Sequence, residues 1–88
     1  MYTTKFMVSA LADPATIARV INPLAQLALI PGSILAETCG ETTQIVIRQP
    51  GLTEAEEQAI ARKMIRCVLV EEVIVTREPR LMSGEVPA

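Results

Sequence analysis

Side chains able to carry out chemistry are few in this chain and do not cluster. Histidine, the residue that most often acts as a general base, is absent from the 88 residues. The neighbours Glu71 and Glu72 cannot flank one scissile bond, because consecutive side chains of a strand point to opposite faces. Cys39 and Cys67 lack the CxxC spacing of redox and zinc motifs. We therefore predict that the chain is not an enzyme and has no catalytic residues, no metal site and no cofactor.

The elements that would position any site are predicted from hydrophobic periodicity. Alternating apolar and polar residues predict strands over residues 4–11, 33–39, 42–48 and 69–77. Helical spacing predicts one helix between the first two strands and another between the last two. The order βαββαβ is the split βαβ plan. It predicts an α+β, ferredoxin-like fold, a four-stranded antiparallel sheet with two helices on one face.

The helix boundaries have their own signals. Asp13-Pro14 predicts the start of the first helix, with Asp13 capping free N–H groups, and Pro31-Gly32 predicts its end. Thr53 and Glu56 have the spacing of a capping box at the start of the second helix. The predicted buried stripes are Ile17, Val20, Ile21, Leu24, Leu27 and Ala28 in the first helix, and Ile60, Met64, Cys67 and Val68 in the second. Pro23 predicts a bend, which is either a tolerated kink or the wall of a pocket.

Composition indicates the class of protein and its assembly. The length fits a single domain, predicted over residues 1–78, with residues 79–88 as a flexible C-terminal tail. Half of the residues are hydrophobic, and nearly all of these are aliphatic. So small a domain covers its apolar surface only partly, so we predict a homo-oligomer, either a dimer or a tetramer. The two thiols without a motif and the lack of a signal peptide favour a reduced, cytoplasmic protein.

Two classes of partner are excluded. A net charge of −2 gives no attraction to phosphate backbones. The RNA-recognition module that shares this topology stacks bases on aromatic side chains, whereas here the first strand offers only Phe6 and the third offers none. No apolar run approaches the roughly 20 residues of a membrane span. We therefore predict neither nucleic-acid nor membrane binding.

Short segments along residues 6–77 resemble the ACT domain, a small regulatory module of amino-acid biosynthetic enzymes. They are Asp13-Pro14-Ala15, Ile17-Ala18-Arg19-Val20, Leu24-Ala25-Gln26 and Leu69-Val70-Glu71-Glu72-Val73. In that family a Pro-Gly pair opens the first helix, and Leu-Ala-Arg-Val-like and Phe-Ala-Gln-like stretches follow. Within the family, these segments resemble those of the regulatory small subunit of acetolactate synthase.

The resemblance implies a dimer with a ligand site at its interface. ACT domains usually pair side by side into an eight-stranded sheet and bind an amino acid between two subunits. The site lies between the loop after the first strand and the start of the partner's second strand. Carried over to this sequence, the ligand-binding residues are Ala12, Asp13, Pro14, Ala15, Thr16, Ser33 and Ile34. Backbone N–H groups at a helix start suit a carboxylate, which supports that assignment.

The sequence departs from the family pattern at these same positions. Ala12 replaces a polar side chain, Ala15 replaces the glycine after Pro14, and Ile30-Pro31 replaces an Asn-Ile pair. Each change removes a polar group or adds bulk where a ligand would lie, and each lost hydrogen bond costs roughly 1–3 kcal/mol.

Two functional hypotheses therefore stand side by side. In the first, the chain is a stand-alone regulatory subunit that senses an amino acid or similar metabolite and modulates a metabolic enzyme. In the second, it is a dimerisation or docking module without a small-molecule ligand. A third, less favoured hypothesis is a small enzyme of the dimeric ferredoxin-like kind, which the lack of histidine and aromatic residues opposes.

Overall fold

The computed structural model describes residues 2–79 and contains the elements in the predicted order. The strands are β1 (Tyr2–Leu11), β2 (Ser33–Cys39), β3 (Thr42–Pro50) and β4 (Val70–Pro79), and the helices are α1 (Thr16–Gln26) and α2 (Glu54–Ile65). The sheet order is β2-β3-β1-β4, and all neighbours are antiparallel. The predicted α+β, ferredoxin-like βαββαβ fold is confirmed. β2 and β4 are the two edge strands.

The core lies between one face of the sheet and the two helices. Alternate residues of β1 and β3 are buried and the residues between them are not, as the period of two predicts. The buried apolar residues are Phe6, Val8, Ala10, Val20, Leu24, Ile45, Ile47, Leu52, Ile60, Met64 and Val70. Within residues 2–79 no helix lies against the opposite face of the sheet, which we call the open face.

Helix α1 is shorter than predicted at both ends. It begins at Thr16, three residues after Asp13, and its last residue is Gln26. Ala28 adopts a positive φ of 56°, and its N–H donates to the Ala25 carbonyl at 3.0 Å. The N–H of Leu29 donates to the Leu24 carbonyl at 3.0 Å, which completes a Schellman motif. The helix therefore ends at a left-handed residue, well before Pro31-Gly32.

The predicted stripe of α1 is correct only in its centre. Val20 and Leu24 are buried and Ile21 is half-buried. Ile17 and Leu27 are exposed, because Ile17 lies in the first turn and Leu27 lies beyond the last. Pro23 lies inside the helix and is itself buried.

Helix α2 begins as predicted. The Thr53 hydroxyl accepts from the Glu56 N–H at 3.2 Å, and the Glu56 carboxylate accepts from the Thr53 N–H at 2.9 Å. Its stripe is buried at Ile60 and Met64, but Val68 is 83% exposed. Val68 was wrongly assigned to the stripe because the helix ends at Ile65, so helical spacing no longer applies there.

Strand β4 extends two residues further than predicted, to Pro79. The remainder of the predicted tail, residues 80–88, lies outside the described residues. Within residues 2–79 no helix has the length and hydrophobicity needed to cross a membrane.

Candidate functional site

The loop after β1 is held by hydrogen bonds to the sheet and to itself. The N–H of Ala12 donates to the Glu41 carbonyl at 2.9 Å, across the turn that joins β2 and β3. Buried Thr16 donates through its hydroxyl to the Leu11 carbonyl at 2.6 Å. Thr16 also donates through its N–H to the Asp13 carbonyl at 3.0 Å. Residues 12–16 therefore form a fixed connection.

Asp13 caps a turn rather than the helix itself. Its Oδ1 accepts from the Ala15 N–H at 2.8 Å, and Ala15, the N-cap residue of α1, makes no side-chain cap. The predicted start at Asp13-Pro14 is therefore early, because Pro14 and Ala15 belong to a turn that precedes the helix. Asp13 Oδ2 has no hydrogen bond to any residue between 2 and 79.

Two backbone donors at the start of α1 remain available. The N–H of Arg19 bonds to the Ala15 carbonyl, but the N–H groups of Ile17 and Ala18 have no acceptor among the described residues. Free N–H groups in the first turn are the usual anion-binding feature of a helix. The two donors lie on exposed residues, next to the loop that contains Asp13.

Ser33 and Ile34 lie at the other end of the sheet. Ser33 pairs with Arg48, which pairs with Lys5, whereas the loop after β1 follows Leu11, which pairs with Thr42. Six residues of β2 separate the two levels, which is about 20 Å of strand. The structure therefore brings residues 12–16 together, but keeps Ser33 and Ile34 away from them within one chain.

Strand β2 is an exposed edge. All of its residues are exposed except half-buried Ala36. The loop of Gly40 and Glu41 has Gly40 at φ 62°, as in a type II′ hairpin, so Cys39 and Thr42 form a hydrogen-bonded pair. Pairs alternate along a hairpin, so the N–H of Leu35 points to β3 and that of Ala36 points away from the sheet.

Two of the cavities in the described part of the chain lie away from these residues. One, of about 410 Å³, lies between α2 and β4 and is lined by Glu54, Glu57, Gln58, Ala61, Val75, Thr76 and Arg77. The other, of about 440 Å³, lies beside α1 and is lined by Ala18, Arg19, Asn22 and Cys67. None of the seven predicted ligand residues lines either cavity. Across residues 2–79, no group of acidic or cysteine side chains has the arrangement of a metal site.

The first cavity contains an ion pair that sequence reasoning missed. Glu57 of α2 is 2% exposed, and its Oε1 accepts from Arg77 Nη2 of β4 at 2.7 Å. The Thr4 hydroxyl donates to the other carboxylate oxygen, and the Tyr2 ring lies 4.8 Å from the Arg77 guanidinium carbon. Helical spacing contained the signal, since Glu57 lies three residues before Ile60 and seven before Met64, on the buried stripe.

Hydrogen bonding keeps Glu57 ionised despite its burial. Desolvation is the largest single influence and raises its pKa, but the hydrogen bonds from Arg77 and Thr4 and the charge of Arg77 together outweigh it. The net result is a pKa below the ordinary value. The hydrogen bond to Glu57 in turn raises the pKa of Arg77. Glu57 is therefore an ionised structural residue whose negative charge is balanced by Arg77.

Comparison with solved structures agrees with the observed topology. Part of a homoserine dehydrogenase from Thiobacillus denitrificans superposes with a TM-score of 0.73 at 17% identity, covering 86% of this chain but only 17% of that one. The ACT domain of GTP pyrophosphokinase from Chlorobium tepidum gives 0.71 at 6% identity, covering 86% of this chain and 96% of that domain. The C-terminal domain of the MgtC protein from Mycobacterium tuberculosis gives 0.71 at 10% identity, covering 94% of both chains.

At these identities the structural likeness shows the fold alone. A search of the curated proteins gave no match. The sequence model of the ACT-like domain, in contrast, matches residues 1–81, which is nearly the whole chain. The chain therefore belongs to the ACT-like domain family.

Proposed function

We propose that this ACT-like domain is a regulatory module that forms a homodimer through β2 and binds an amino acid or a similar small metabolite at the subunit interface. Through that interface it modulates a metabolic enzyme. The single observation that carries the proposal is the separation of the two halves of the predicted site, which a second copy would bring together.

Pairing of β2 with its equivalent supports the dimer. An unpaired edge presents a row of N–H and C=O groups to a further strand. Strand β2 is seven residues long and has no proline and no lysine to block pairing. Antiparallel pairing about a two-fold axis would extend the sheet to eight strands.

The same pairing would complete the site. In an antiparallel β2–β2 contact, the start of one β2 lies beside the end of the other. The end of β2 is joined through Gly40-Glu41 to the loop after β1, where the Ala12 N–H donates to the Glu41 carbonyl. Ser33 and Ile34 of one protomer would thus approach residues 12–16 of its partner. The roughly 20 Å separation along the strand direction would close between two chains, which leaves three strand spacings, about 14 Å, between the partner's β2 and β1.

The chemistry of the loop suits a zwitterion. The free N–H groups of Ile17 and Ala18 match a carboxylate. The unengaged Oδ2 of Asp13 matches an ammonium group. An uncharged or purely anionic metabolite would gain less, since Asp13 repels negative charge.

A second candidate is a dimerisation or docking module that binds no small molecule. The methyl groups of Ala12 and Ala15 and the ring of Pro31 favour it, because they occupy positions that family members leave polar or open. The specific likeness to the acetolactate synthase small subunit, the enzyme partner and a cytoplasmic location stay predictions.

Thermal unfolding with each of the twenty amino acids tests the first candidate. A ligand at 100 times its Kd adds about 2.7 kcal/mol of stability, which corresponds to roughly 10–20 °C in Tm for a domain of this size. Asp13→Asn should abolish most of the shift, whereas Glu41→Gln, on the neighbouring turn, should leave it intact. No shift with any amino acid at 10 mM would contradict amino-acid sensing and favour the ligand-free module.

A further inference from the structure

The open face of the sheet carries three ordered rows of side chains. The strand registers place Leu35, Val46, Met7 and Ile74 side by side, in the order β2-β3-β1-β4; we call this set the apolar row. Leu35 is 56% exposed, Ile74 44% and Met7 37%. Four large apolar side chains in line on a face without a helix are more than scattered surface residues, so the face indicates an interaction surface.

Charged rows of opposite sign lie on either side of the apolar row. The basic row lies two residues along the strands from the apolar row, on one side of it, and consists of Ser33, Arg48, Lys5 and Thr76. The acidic row lies two residues from the apolar row on the other side and consists of Glu37, Gln44, Ser9 and Glu72. Ser9 donates to Gln44 at 3.0 Å within the acidic row. Arg48 pairs with Glu78 at 2.9 Å, but Lys5, Glu37 and Glu72 form no ion pair with any residue from 2 to 79.

We propose that the open face is a homotypic stacking surface, on which a second copy of this chain packs with its strands running the opposite way. A two-fold axis along the apolar row keeps each strand over its equivalent and reverses the strand direction. The basic row of one copy then lies over the acidic row of the other, and apolar row meets apolar row. A two-fold axis along the strands would instead place basic over basic, which is repulsive.

The opposed arrangement also brings particular charges within reach. Lys5 of one copy lies over the partner's β1 at the level of the acidic row, one strand away from the partner's Glu72. Arg48 likewise lies one strand away from the partner's Glu37. Neighbouring strands are about 4.8 Å apart and packed sheets about 10 Å, distances that Lys, Arg and Glu side chains together can span. The pattern is thus complementary to itself, which argues for a second copy over an unrelated protein.

The size of the surface indicates which species stacks. Four strands at about 4.8 Å and three rows about 7 Å apart give an area of roughly 400 Å². A stable interface needs about 800 Å² per partner, so one chain offers half of it. An eight-stranded sheet would offer the full area, so the stack joins two β2-paired dimers into a tetramer; in this respect it rests on the proposed function. The required two-fold axes are mutually perpendicular, which is ordinary tetramer symmetry.

Sedimentation equilibrium on the full chain tests the stack with a matched pair of variants. Ile74→Asp places a charge in the apolar row and should convert tetramer to dimer. Val68→Asp makes the same change at an exposed position away from the open face and should leave the tetramer intact. An Ile74→Asp protein that is folded by circular dichroism and keeps the wild-type mass would overturn the proposal and leave the face to a different partner.

Charge reversal tests the orientation. Lys5→Glu and Glu72→Lys should each raise the tetramer dissociation constant by about tenfold or more, because each creates like-charge contacts. The double variant restores opposite charges between copies and should recover most of the loss. A double variant weaker than both single variants would overturn the opposed arrangement.

The β2–β2 edge contact and the open-face stack can be tested separately. Ala36→Pro removes the outward N–H of β2 and should disrupt the edge pairing but not the fold. A wild-type dimer that Ala36→Pro dissociates and Ile74→Asp does not would sink the stack and keep the edge. A dimer that Ile74→Asp dissociates and Ala36→Pro does not would keep the stacking surface and sink the edge. A monomeric wild type at millimolar concentration would contradict both.

Discussion

The buried carboxylate of Glu57 in α2 and the half-exposed guanidinium of Arg77 in β4 lie 2.7 Å apart, between Oε1 and Nη2. Arg77 Nε also donates to Oε1 at 3.1 Å and to Oε2 at 3.4 Å, so two guanidinium nitrogens contact the carboxylate. The pair therefore links the second helix to the edge strand of the sheet. It also makes stability depend on pH.

Replacing Glu57 by Gln should flatten the acid limb of the stability curve. The folded-state pKa of Glu57 lies below its ordinary value of 4.5, so its contribution is present above pH 4.5 and is lost as pH falls through the folded-state pKa. We expect the free energy of unfolding of Glu57→Gln to be about 1 kcal/mol below that of wild type at pH 7. Between pH 7 and pH 3 the free energy of unfolding should fall less in the variant than in wild type. Urea denaturation at pH 7, 5, 4 and 3 measures both.

The control for this experiment is Glu54→Gln. Glu54 is 3.7 Å from Arg77 and its side chain is 69% exposed, so the substitution removes a carboxylate but keeps the buried contact. Its curve should stay parallel to that of wild type. Parallel curves for wild type and Glu57→Gln would show that the buried pair does not set the acid limb.

Glycine at position 28 should stabilise the domain. Ala28 has φ 56°, a conformation in which a Cβ costs roughly 1 kcal/mol relative to glycine. We expect Ala28→Gly to raise the unfolding free energy by about 0.5–1 kcal/mol. Ala25→Gly, three residues earlier inside α1, should lower it by a similar amount, because glycine weakens a helix interior. Thermal denaturation of the two variants checks the opposite signs, and equal signs would contradict the Schellman assignment.

The capping box of α2 gives a third prediction. Thr53→Ala removes the hydroxyl that accepts from the Glu56 N–H, and should cost about 1 kcal/mol. Thr53→Ser keeps the hydroxyl and should retain nearly all of the stability. Chemical denaturation of both proteins distinguishes the cap from a packing effect. A Ser variant as unstable as the Ala variant would show that the methyl group, not the hydrogen bond, is responsible.

Local signals in the sequence were sufficient for the fold and for the start of α2. The alternation over residues 4–11 correctly predicted β1, in which Phe6, Val8 and Ala10 are buried, and the spacing of Thr53 and Glu56 correctly predicted the cap. The end of α1 was predicted too late, at Pro31-Gly32, because alanine at position 28 gives no sequence signal for a left-handed conformation. The burial of Glu57 was missed because an acidic residue in the first turn of a helix interacts favourably with the helix dipole whether it is buried or exposed.

The candidate site was predictable only as a set of segments. The loop after β1 is local, so its residues could be grouped from sequence, although the bond from Asp13 to Ala15 could not. Ser33 lies at the opposite end of the sheet because β2 starts level with Lys5, whereas the loop follows Leu11. Whether a partner brings the segments together depends on an interface between chains.

Proline substitutions at neighbouring positions of β2 should separate pairing from folding. The N–H of Ala36 points outward, so Ala36→Pro should leave the fold intact and dissociate an edge-paired dimer. The N–H of Leu35 points to β3, so Leu35→Pro should break the β2–β3 ladder and lower stability by several kcal/mol. Sedimentation velocity combined with circular dichroism reads both effects. Retention of the wild-type mass by folded Ala36→Pro would argue that another surface forms the dimer.

The two faces of β3 should respond differently to truncation of adjacent residues. Ile47 is fully buried on the core face, so Ile47→Val should cost about 0.5–1.5 kcal/mol and Ile47→Ala about 2–5 kcal/mol, through lost contacts and a residual cavity. Val46 lies on the open face and is only half-buried, so Val46→Ala should cost less than 1 kcal/mol in the folding of the chain. Urea denaturation at low protein concentration measures folding, and sedimentation at high concentration measures assembly. If the open face packs against a second copy, Val46→Ala should weaken assembly more than Ile47→Val does, because only Val46 faces the partner. A larger effect of Ile47→Val on assembly would show that the interface lies elsewhere.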